Sequence, residues 1–316
     1  YSVSANFSWN RNRVTKYKGE LKESWGTDEN GNPVWNTNIG EVSTGGNTRV
    51  LEGHEMNEFY MLNRYHGTGQ GFNADGSVNI NGGPKDGMIR TEGDMAWLKA
   101  MMAKGYRFFP TQRIDKNAIW YGDYIYADEN GDGKYGDDQD RKFQGCSSMP
   151  KFYFGLQGSV QWKGIDLSMV WSGAAGFKIE YYQNTQNSTS IIHGYGIGKE
   201  VGYDHYYYDP ENPNDPRTNT TSVNPRFTAG ADNGQQKANS EFHLHNGNYL
   251  KLKNLTLGYT LPKKWTSKVF MQSVRVYTSM ENLCTITKFK GIDPEMRAGD
   301  GYAPMRSYAF GLTVTF

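Results

Sequence analysis

The chain has 316 residues, a hydrophobic fraction of 36% and a mean hydropathy of −0.76. This hydropathy excludes a bundle of membrane-spanning helices, each of which needs about 20 consecutive apolar residues, but it is compatible with a β-barrel, whose strands are only half apolar. The net charge of +1 gives no reason to expect nucleic acid as a partner, and two cysteines are too few for a disulfide scaffold.

The chain begins inside a predicted strand. Tyr1, Val3, Ala5, Phe7 and Trp9 alternate with small polar residues, and such alternation places one set of side chains on each face of a strand. No initiating methionine, charged leader or signal-peptide core precedes this strand. We therefore expect the chain to be a piece of a longer protein.

Residues 10–127 are broken up by clusters of Gly, Asn and Asp and contain no internal repeat. Within them, Met95, Leu98, Met101 and Met102 recur at helical spacing, which predicts a short helix over residues 92–104. We interpret this methionine stripe as packing rather than as a cofactor-binding surface, because methionine fills irregular gaps in protein cores.

Residues 128–134 read Asp-Glu-Asn-Gly-Asp-Gly-Lys and reproduce the first half of a calcium loop. Asp128, Asn130 and Asp132 supply side-chain oxygens at positions 1, 3 and 5, and the carbonyl of Lys134 is the ligand expected at position 7. Calcium needs about six to eight oxygen ligands around one point. The motif predicts Ca²⁺ as the cofactor of this segment.

The second half of the calcium loop departs from the pattern. Position 12 is Gln139 instead of the bidentate glutamate, so Asp138 has to substitute, with Asp137 and Asp140 as alternatives. A turn without an ion fits the same residues, because Asp, Asn and Gly dominate turns. Ion binding and an ion-free turn are equally compatible with the sequence.

Further predicted strands follow in the second half of the chain. They cover residues 151–163, 165–172, 249–261, 274–280 and 308–316. In the third of these, the alternation through Leu250 and Leu252 restarts one residue out of phase at Leu255, which predicts a β-bulge.

Short and long connections alternate between these strands. Lys163-Gly164 is a tight hairpin and residues 262–272 form a short turn, whereas residues 128–150, 174–248 and 284–304 are long polar stretches. This regular exchange of short and long connections is typical of outer-membrane barrels, which have short periplasmic turns and long extracellular loops.

The environment of the apolar strand faces decides between a barrel and a soluble β-sandwich. The polar faces carry Ser, Gly, Asn, Gln and Thr, with few of the Lys and Glu residues that coat soluble sheets. Aromatic residues stand near strand ends, as at a membrane–water interface: Trp9, Trp162, Trp171, Tyr259 and Phe316. We therefore predict an all-β fold of antiparallel transmembrane β-barrel strands, in which Phe154, Leu257 and Phe310 face lipid.

The sequence contains no pattern that indicates a catalytic site. His243 and His245 share a strand face, but no third ligand stands at metal-binding spacing, so we interpret them as structural. No serine lies in a nucleophile-elbow context, and no glycine loop is suited to cradling phosphate. We expect a protein that is not an enzyme.

Residues 206–213, Tyr-Tyr-Tyr-Asp-Pro-Glu-Asn-Pro, lie in the longest of the polar stretches. Aromatic rings there could stack on sugars or pack against a partner protein. We prefer the interpretation that they stiffen the loop, because aromatic and proline residues do this without any ligand.

Several stretches together resemble the C-terminal region of the SusC/RagA family of TonB-dependent transporters. Residues 248–262, Asn-Tyr-Leu-Lys-Leu-Lys-Asn-Leu-Thr-Leu-Gly-Tyr-Thr-Leu-Pro, are similar to the most recognisable strand of that family. Further matches follow the order of the family at residues 124–133, 210–217, 276–277, 281–283, 291–295 and 306–316. The final strand resembles a barrel-assembly signal through Gly311, Val314 and Phe316, although Ala309 stands where a polar residue is common.

The resemblance implies how the whole protein works. It implies a 22-stranded barrel in the cell outer membrane, crossed many times by the chain, with an N-terminal plug, a SusD-like surface lipoprotein as partner and TonB as the driver. The imported cargo would be oligosaccharides or peptides. Residues 1–316 would be the C-terminal part of this barrel, since the plug and the TonB-contacting segment have no counterpart in them.

A different class of protein also fits the strand pattern. A secreted soluble β protein, stabilised by a calcium loop and binding carbohydrate, would show the same alternation. The need for detergent separates the two classes, because a soluble module purifies from buffer alone.

Overall fold

The computed structural model describes residues 1–182, 199–227, 238–296 and 302–316. The chain divides into two units. The first, which we call the sheet unit, comprises Tyr1–Asn12, Ser147–Glu180 and His245–Phe316. The second, which we call the core unit, comprises Arg13–Cys146 and Tyr181–Leu244.

Strands outnumber helices in the described residues. The strands are β1 (Ser2–Trp9), β2 (Glu23–Thr27), β3 (Pro33–Thr37), β4 (Thr48–Arg49), β5 (Glu58–Met61), β6 (Arg107–Phe108), β7 (Lys134–Tyr135), β8 (Lys142–Ser147), β9 (Phe152–Trp162), β10 (Ile165–Ala175), β11 (Lys178–Glu180), β12 (Leu244–Asn246), β13 (Tyr249–Thr260), β14 (Ser273–Thr287) and β15 (Ser307–Thr315). The α-helices are α1 (Ile39–Val42), α2 (Glu92–Ala103), α3 (Lys199–Tyr203) and α4 (Lys263–Thr266). Short 3₁₀ helices lie at Asp138–Asp140, Glu241–His243 and Ser267–Val269.

Six strands of the sheet unit form one antiparallel sheet in the order β1-β9-β10-β13-β14-β15. These are the six strands that the alternation predicts. The last but one is longer than predicted, because the pairing of β14 continues to Thr287 beyond an irregularity at Asn282, whose φ is 51°. The apolar alternation that marks the start of β14 breaks at this point, and a short periodic pattern therefore underestimates the strand.

The predicted bulge in β13 is confirmed. The pairing of β13 with both of its neighbours shifts between Leu252 and Asn254, and Lys253 is the extra residue relative to β10. A bulge of this kind resets the alternation, because one additional residue turns the following side chains to the other face.

Short and long connections lie at opposite ends of the sheet. The hairpin at Lys163-Gly164 joins β9 to β10, both residues having positive φ, and residues 261–272 join β13 to β14. The links from β1 to β9, from β10 to β13 and from β14 to β15 are long. Since the strands are antiparallel and follow one another across the sheet, both short turns fall at one end, as predicted.

The core unit contains the predicted helix. Helix α2 spans Glu92–Ala103 and begins at a capping box, in which the Thr91 hydroxyl accepts from the amide of Asp94 and the Asp94 carboxylate accepts from the amide of Thr91. Among the described helices, none combines the length and the apolarity needed to cross a membrane.

The hydrophobic core of this unit packs around α2. Met95, Leu98 and Met101 are buried, which confirms that the methionine stripe is packing. The Trp97 ring stacks on Tyr65 at 5.2 Å between centroids, and its indole nitrogen donates to the Asn79 carbonyl at 2.8 Å. Much of residues 13–146 and 181–244 is thus a packed body, which the polar composition of these stretches did not indicate.

Candidate functional site

One face of the six-stranded sheet is apolar across all of its strands. The register aligns Ala5 with Leu156, Leu156 with Trp171, and Trp171 with Leu252. Nearer the short turns, the same face continues from Tyr259 of β13 to Val276 of β14 and Leu312 of β15. The alternation of each strand is therefore in phase with that of its neighbours, which produces a continuous apolar surface.

This apolar surface is exposed. Phe310 is 85% exposed, Leu312 and Trp162 are each 64% exposed, and Leu257 is 46% exposed. Phe154 is half-buried because its ring lies over Gly173, where an added Cβ would come within 2.2 Å of the ring. Large exposed apolar patches mark a contact with lipid or with another protein.

The opposite face of the sheet is polar and carries an ion pair that crosses a strand. Arg275 of β14 donates through Nε to Asp166 Oδ1 at 2.9 Å and through Nη2 to Oδ2 at 2.5 Å. Between them lies Gly258 of β13, where a Cβ would come within 2.5 Å of both partners. Glycine at this position lets the guanidinium pass flat over the strand.

An aromatic residue extends this arrangement toward the edge of the sheet. The Arg275 guanidinium lies 4.7 Å from the centroid of the Tyr277 ring. The Tyr277 ring in turn covers Gly311 of β15, where a Cβ would come within 2.2 Å of it. One polar network therefore spans four neighbouring strands.

A second ionic cluster ties the segment after β14 to β13. The Lys251 ammonium donates to Asp293 at 2.5 Å and to Glu295 at 2.6 Å, and Lys253 donates to Glu295 at 2.7 Å. Lys251 is 1% exposed, so the two carboxylates together compensate a buried charge, and removing both would leave it without a counter-ion. Burial tends to raise the pKa of Glu295, but the two lysines outweigh it and lower the pKa.

The predicted calcium segment forms a turn closed by its own hydrogen bonds. The Asp128 carboxylate accepts from the amides of Gly131 at 2.6 Å, Asp132 at 3.1 Å and Gly133 at 2.8 Å. The side chain of Asn130 accepts from the amide of Asp132 at 3.0 Å. The side-chain oxygens of Asp128 and Asn130 therefore close this turn by accepting from its own amides.

The remaining predicted ligands do not join this group. Asp138 is turned away: its side chain is 91% exposed and pairs with Arg141 at 3.0 Å. Asp140 closes the turn in its place, accepting from the amides of Glu129 and Gly136, both at 2.8 Å. The 3₁₀ helix at Asp138–Asp140 causes this exchange, since it turns the first residue out and the last one in.

The charges in this turn do not form a preformed metal site. The Lys134 ammonium lies 2.7 Å from Asp132 and balances its carboxylate. Burial raises the pKa of Asp140 to about 7 and also raises the pKa of Asp128. In the part of the chain that the structure describes, no three His, Cys, Asp or Glu side chains converge on a point that a metal could occupy. Calcium binding stays a prediction.

The two histidines lie beside aromatic rings, and the interpretation that they are structural stays a prediction. His243 is fully buried and its ring lies 4.1 Å from that of Tyr182 and 5.5 Å from that of Phe242. The His245 ring lies 6.4 Å from that of Phe289.

Residues 206–213 contribute to the packing of the core unit. Tyr206 is fully buried and donates to the Arg90 carbonyl at 2.6 Å, and Tyr208 donates to Glu92 at 3.1 Å. A cavity of about 610 Å³ lies beside them, with Trp120, Tyr207 and Phe227 in its wall. The wall also carries the charged residues Lys116, Asp209, Arg217 and Arg226, and the spacing of the aromatic residues along the chain carried no signal for this cavity.

Comparisons with known proteins agree with the fold, although no family model matches the chain. A TonB-dependent receptor of Formosa agariphila is 30% identical over 174 residues, which cover 55% of this chain and 15% of the receptor. The TonB-dependent receptor SusC of Bacteroides thetaiotaomicron is 23% identical over 325 residues, which cover 100% of this chain and 24% of SusC. The chain thus spans less than a quarter of the length of these relatives.

Two solved structures share the fold. The RagAB peptide transporter has a TM-score of 0.57 at 19% identity, with 99% of this chain and 26% of that chain covered. The RagAB peptide importer in the closed-closed state has a TM-score of 0.54 at 20% identity, with 99% of this chain and 27% of that chain covered. The resemblance to the SusC/RagA family that the sequence predicts is confirmed, and the chain is similar to TonB-dependent receptors of the SusC type.

Proposed function

We propose that this chain forms wall strands and external segments of an outer-membrane importer that is driven by TonB. The six strands of the sheet unit would be part of a 22-stranded barrel that crosses the outer membrane many times. The residues act by shaping a passage and not by covalent chemistry, in keeping with relatives that are named as receptors.

The two-faced sheet is the observation that carries this proposal. Its apolar face exposes Trp162, Leu257 and Phe310, while its polar face holds the ion pair between Asp166 and Arg275. A barrel wall needs this division, because one face meets lipid and the other a watery interior. A soluble sheet would instead bury the apolar face.

The aromatic residues at the short-turn end of the sheet support the same orientation. Trp162, Trp265, Phe270 and Phe316 are 64%, 60%, 92% and 78% exposed. They lie at or beside the ends of β9, β13 and β15. Rings at this position settle at the boundary between lipid and water, and barrels carry such a girdle at each rim.

The long connections supply the external part of the proposal. They join strands at the end of the sheet opposite the short turns, and the core unit is built from two of them, residues 13–146 and 181–244. In a barrel with short periplasmic turns, these connections lie outside the cell. They would offer the docking surface for a SusD-like lipoprotein and part of the vestibule for oligosaccharide or peptide cargo.

Contact with TonB is proposed through residues outside this chain, since residues 1–316 would be the C-terminal part of the importer. The names of the relatives support TonB dependence, and the solved RagAB structures are of a peptide transporter. TonB dependence and peptide transport are properties of those relatives, and they motivate the choice of an uptake assay.

Membrane fractionation of cells that express the whole protein tests the proposal. We expect the protein in the outer-membrane fraction, extraction only with detergent, and a surface lipoprotein that copurifies with it. Uptake of labelled oligosaccharides or peptides should then be lost when TonB is deleted. Recovery from buffer or culture medium without detergent would contradict the proposal and favour the secreted carbohydrate-binding alternative.

A further inference from the structure

A cavity of about 290 Å³ in the core unit brings two arginine side chains together. Arg49 ends β4 and Arg141 directly precedes β8, so the pair is far apart in the sequence. The other residues of the wall are Thr37, Ile39, Tyr60, Asp138 and Gln139. The cavity is therefore small, with cations on its wall and an aromatic ring beside them.

Arg49 has neutral partners. Its Nη1 donates to the Ser43 hydroxyl at 2.9 Å and to the Thr44 carbonyl at 2.6 Å, and its guanidinium lies 4.6 Å from the centroid of the Tyr60 ring. Within residues 1–182, 199–227, 238–296 and 302–316, no carboxylate forms an ion pair with it. Its positive charge is thus held in place without being neutralised.

Other arginines of the core unit with little exposure form ion pairs with carboxylates. Arg64 lies 2.7 Å from Glu241, Arg90 lies 2.7 Å from Asp86, and Arg226 lies 2.9 Å from Asp123. Partly buried cations are normally compensated in this way, because removing a charge from water is costly. Arg49 is an exception to this rule.

Arg141 is compensated only weakly. Its one ion pair in the described chain is with Asp138 at 3.0 Å, and that carboxylate is 91% exposed to solvent, so the attraction is screened by water. The Nε–H groups of both Arg49 and Arg141 are buried and have no hydrogen-bond partner among the residues that the structure describes. Burial lowers the pKa of Arg49, and the nearby charge of Arg141 lowers it further.

We propose that Arg49 and Arg141 form a binding site for an oxyanion group, such as the sulfate, phosphate or carboxylate of a ligand. Planar guanidinium groups hold oxyanions through paired N–H···O bonds, and two of them facing one cavity lose their mutual repulsion when an anion lies between them. The site is independent of the proposed import function, since it rests on the core unit alone.

Two acidic residues set the strength of the site. Asp138 lines the cavity and competes for Arg141. Glu23 accepts from the Thr37 hydroxyl at 3.4 Å, and after burial its charge is the largest cause that raises the pKa of Tyr60. Both carboxylates repel an incoming anion, so neutralising either of them should strengthen binding.

Isothermal titration calorimetry on the whole protein in detergent tests the site. Sodium sulfate, phosphate and acetate would be titrated separately at constant ionic strength, which distinguishes the three oxyanions. We expect saturable binding of at least one of them at a single site. Arg49→Gln and Arg141→Gln should each weaken it by roughly tenfold or more, the effect of losing one charge-assisted hydrogen bond.

The matched control is Arg113→Gln, which removes an arginine that is 71% exposed and lies outside the cavity. It should bind like the wild type, whereas Glu23→Gln and Asp138→Asn should bind more tightly. Should Arg49→Gln fail to fold, Arg49→Lys keeps the charge, loses the planar fork and should still bind more weakly. No saturable heat, equal binding in all arginine variants, or no gain in Glu23→Gln and Asp138→Asn would overturn the proposal.

Discussion

The two units of this chain use the same apolar residue types in opposite ways. In the core unit, Trp97 and Phe108 are fully buried against one another and their neighbours, whereas in the sheet unit Trp162 is 64% and Phe310 is 85% exposed. The polar face of the sheet carries the ion pair of Asp166 with Arg275. The core unit thus buries its large apolar side chains within itself, while the sheet leaves those of one face exposed.

The largest loss of stability is expected for a buried tryptophan of the core unit, and an exposed tryptophan of the sheet unit is its control. Trp97→Ala leaves a cavity in a packed core and should destabilise the core unit by about 3–5 kcal/mol. Trp162→Ala removes an exposed ring and should change the stability of the sheet unit by less than about 1 kcal/mol. Hydrogen exchange of amides in each unit measures both effects. A similar loss of stability in the two variants would contradict the assignment of Trp97 to a packed core and of Trp162 to an exposed face.

Arginine substitutions on the two faces of one strand should differ in their cost to barrel assembly. Leu156 and Gln157 are adjacent at the middle of β9 and lie on the apolar and the polar face. Leu156→Arg should cost about 2–4 kcal/mol, the effect of arginine at the lipid midplane of a barrel, and Gln157→Arg should be tolerated. The amount of assembled protein in the outer membrane reports the difference. Equal loss or equal tolerance would contradict the assignment of the faces.

Gly258 tests whether the polar face depends on close contact between strands. A Cβ at this position would come within 2.5 Å of Arg275 and Asp166, so Gly258→Ala should displace the ion pair and cost about 1–3 kcal/mol. Gly158, where a Cβ would lie 3.5 Å from Met169, provides the control in the same sheet. Thermal unfolding in detergent measures both variants. A Gly258→Ala protein as stable as Gly158→Ala would show that the pair adapts freely.

The smallest effects are expected in the turn at residues 128–140. Asp128→Ala removes the acceptor of three backbone amides and should destabilise the turn by about 1–2 kcal/mol. Calcium chelation separates the two interpretations of this segment: an ion-free turn stays unchanged, because the Asp128 carboxylate already accepts from its own backbone amides, whereas a turn that holds calcium loosens. Hydrogen exchange at residues 128–140 with and without chelator checks this. Faster exchange upon chelation would favour the calcium loop.

The sheet could be predicted from the sequence because its signal is local. Each strand carries its own alternation, and even the bulge at Lys253 is visible as a change of phase. The alternation of short and long connections can be read from the positions of the strands along the chain. The extension of β14 past Asn282 was missed because the irregularity interrupts the pattern on which the prediction depends.

The sites of the core unit could not be predicted in the same way, because they depend on tertiary contacts. Whether Asp138 or Asp140 closes the acidic turn is decided by one 3₁₀ helix, which composition does not reveal. Arg49 and Arg141 are brought together by strands that lie far apart in the chain. Neither pairing leaves a periodic trace in the sequence.

The proposed barrel requires that the apolar face of the sheet meets lipid. Spin labels at Leu156→Cys and Gln157→Cys report this contact, in the whole protein reconstituted into bilayers with Cys146 and Cys284 replaced by alanine. We predict that the label at position 156 collides with oxygen, which concentrates in lipid, and that the label at position 157 collides with a water-soluble nickel complex. Preferential access of the nickel complex to both labels would contradict the account.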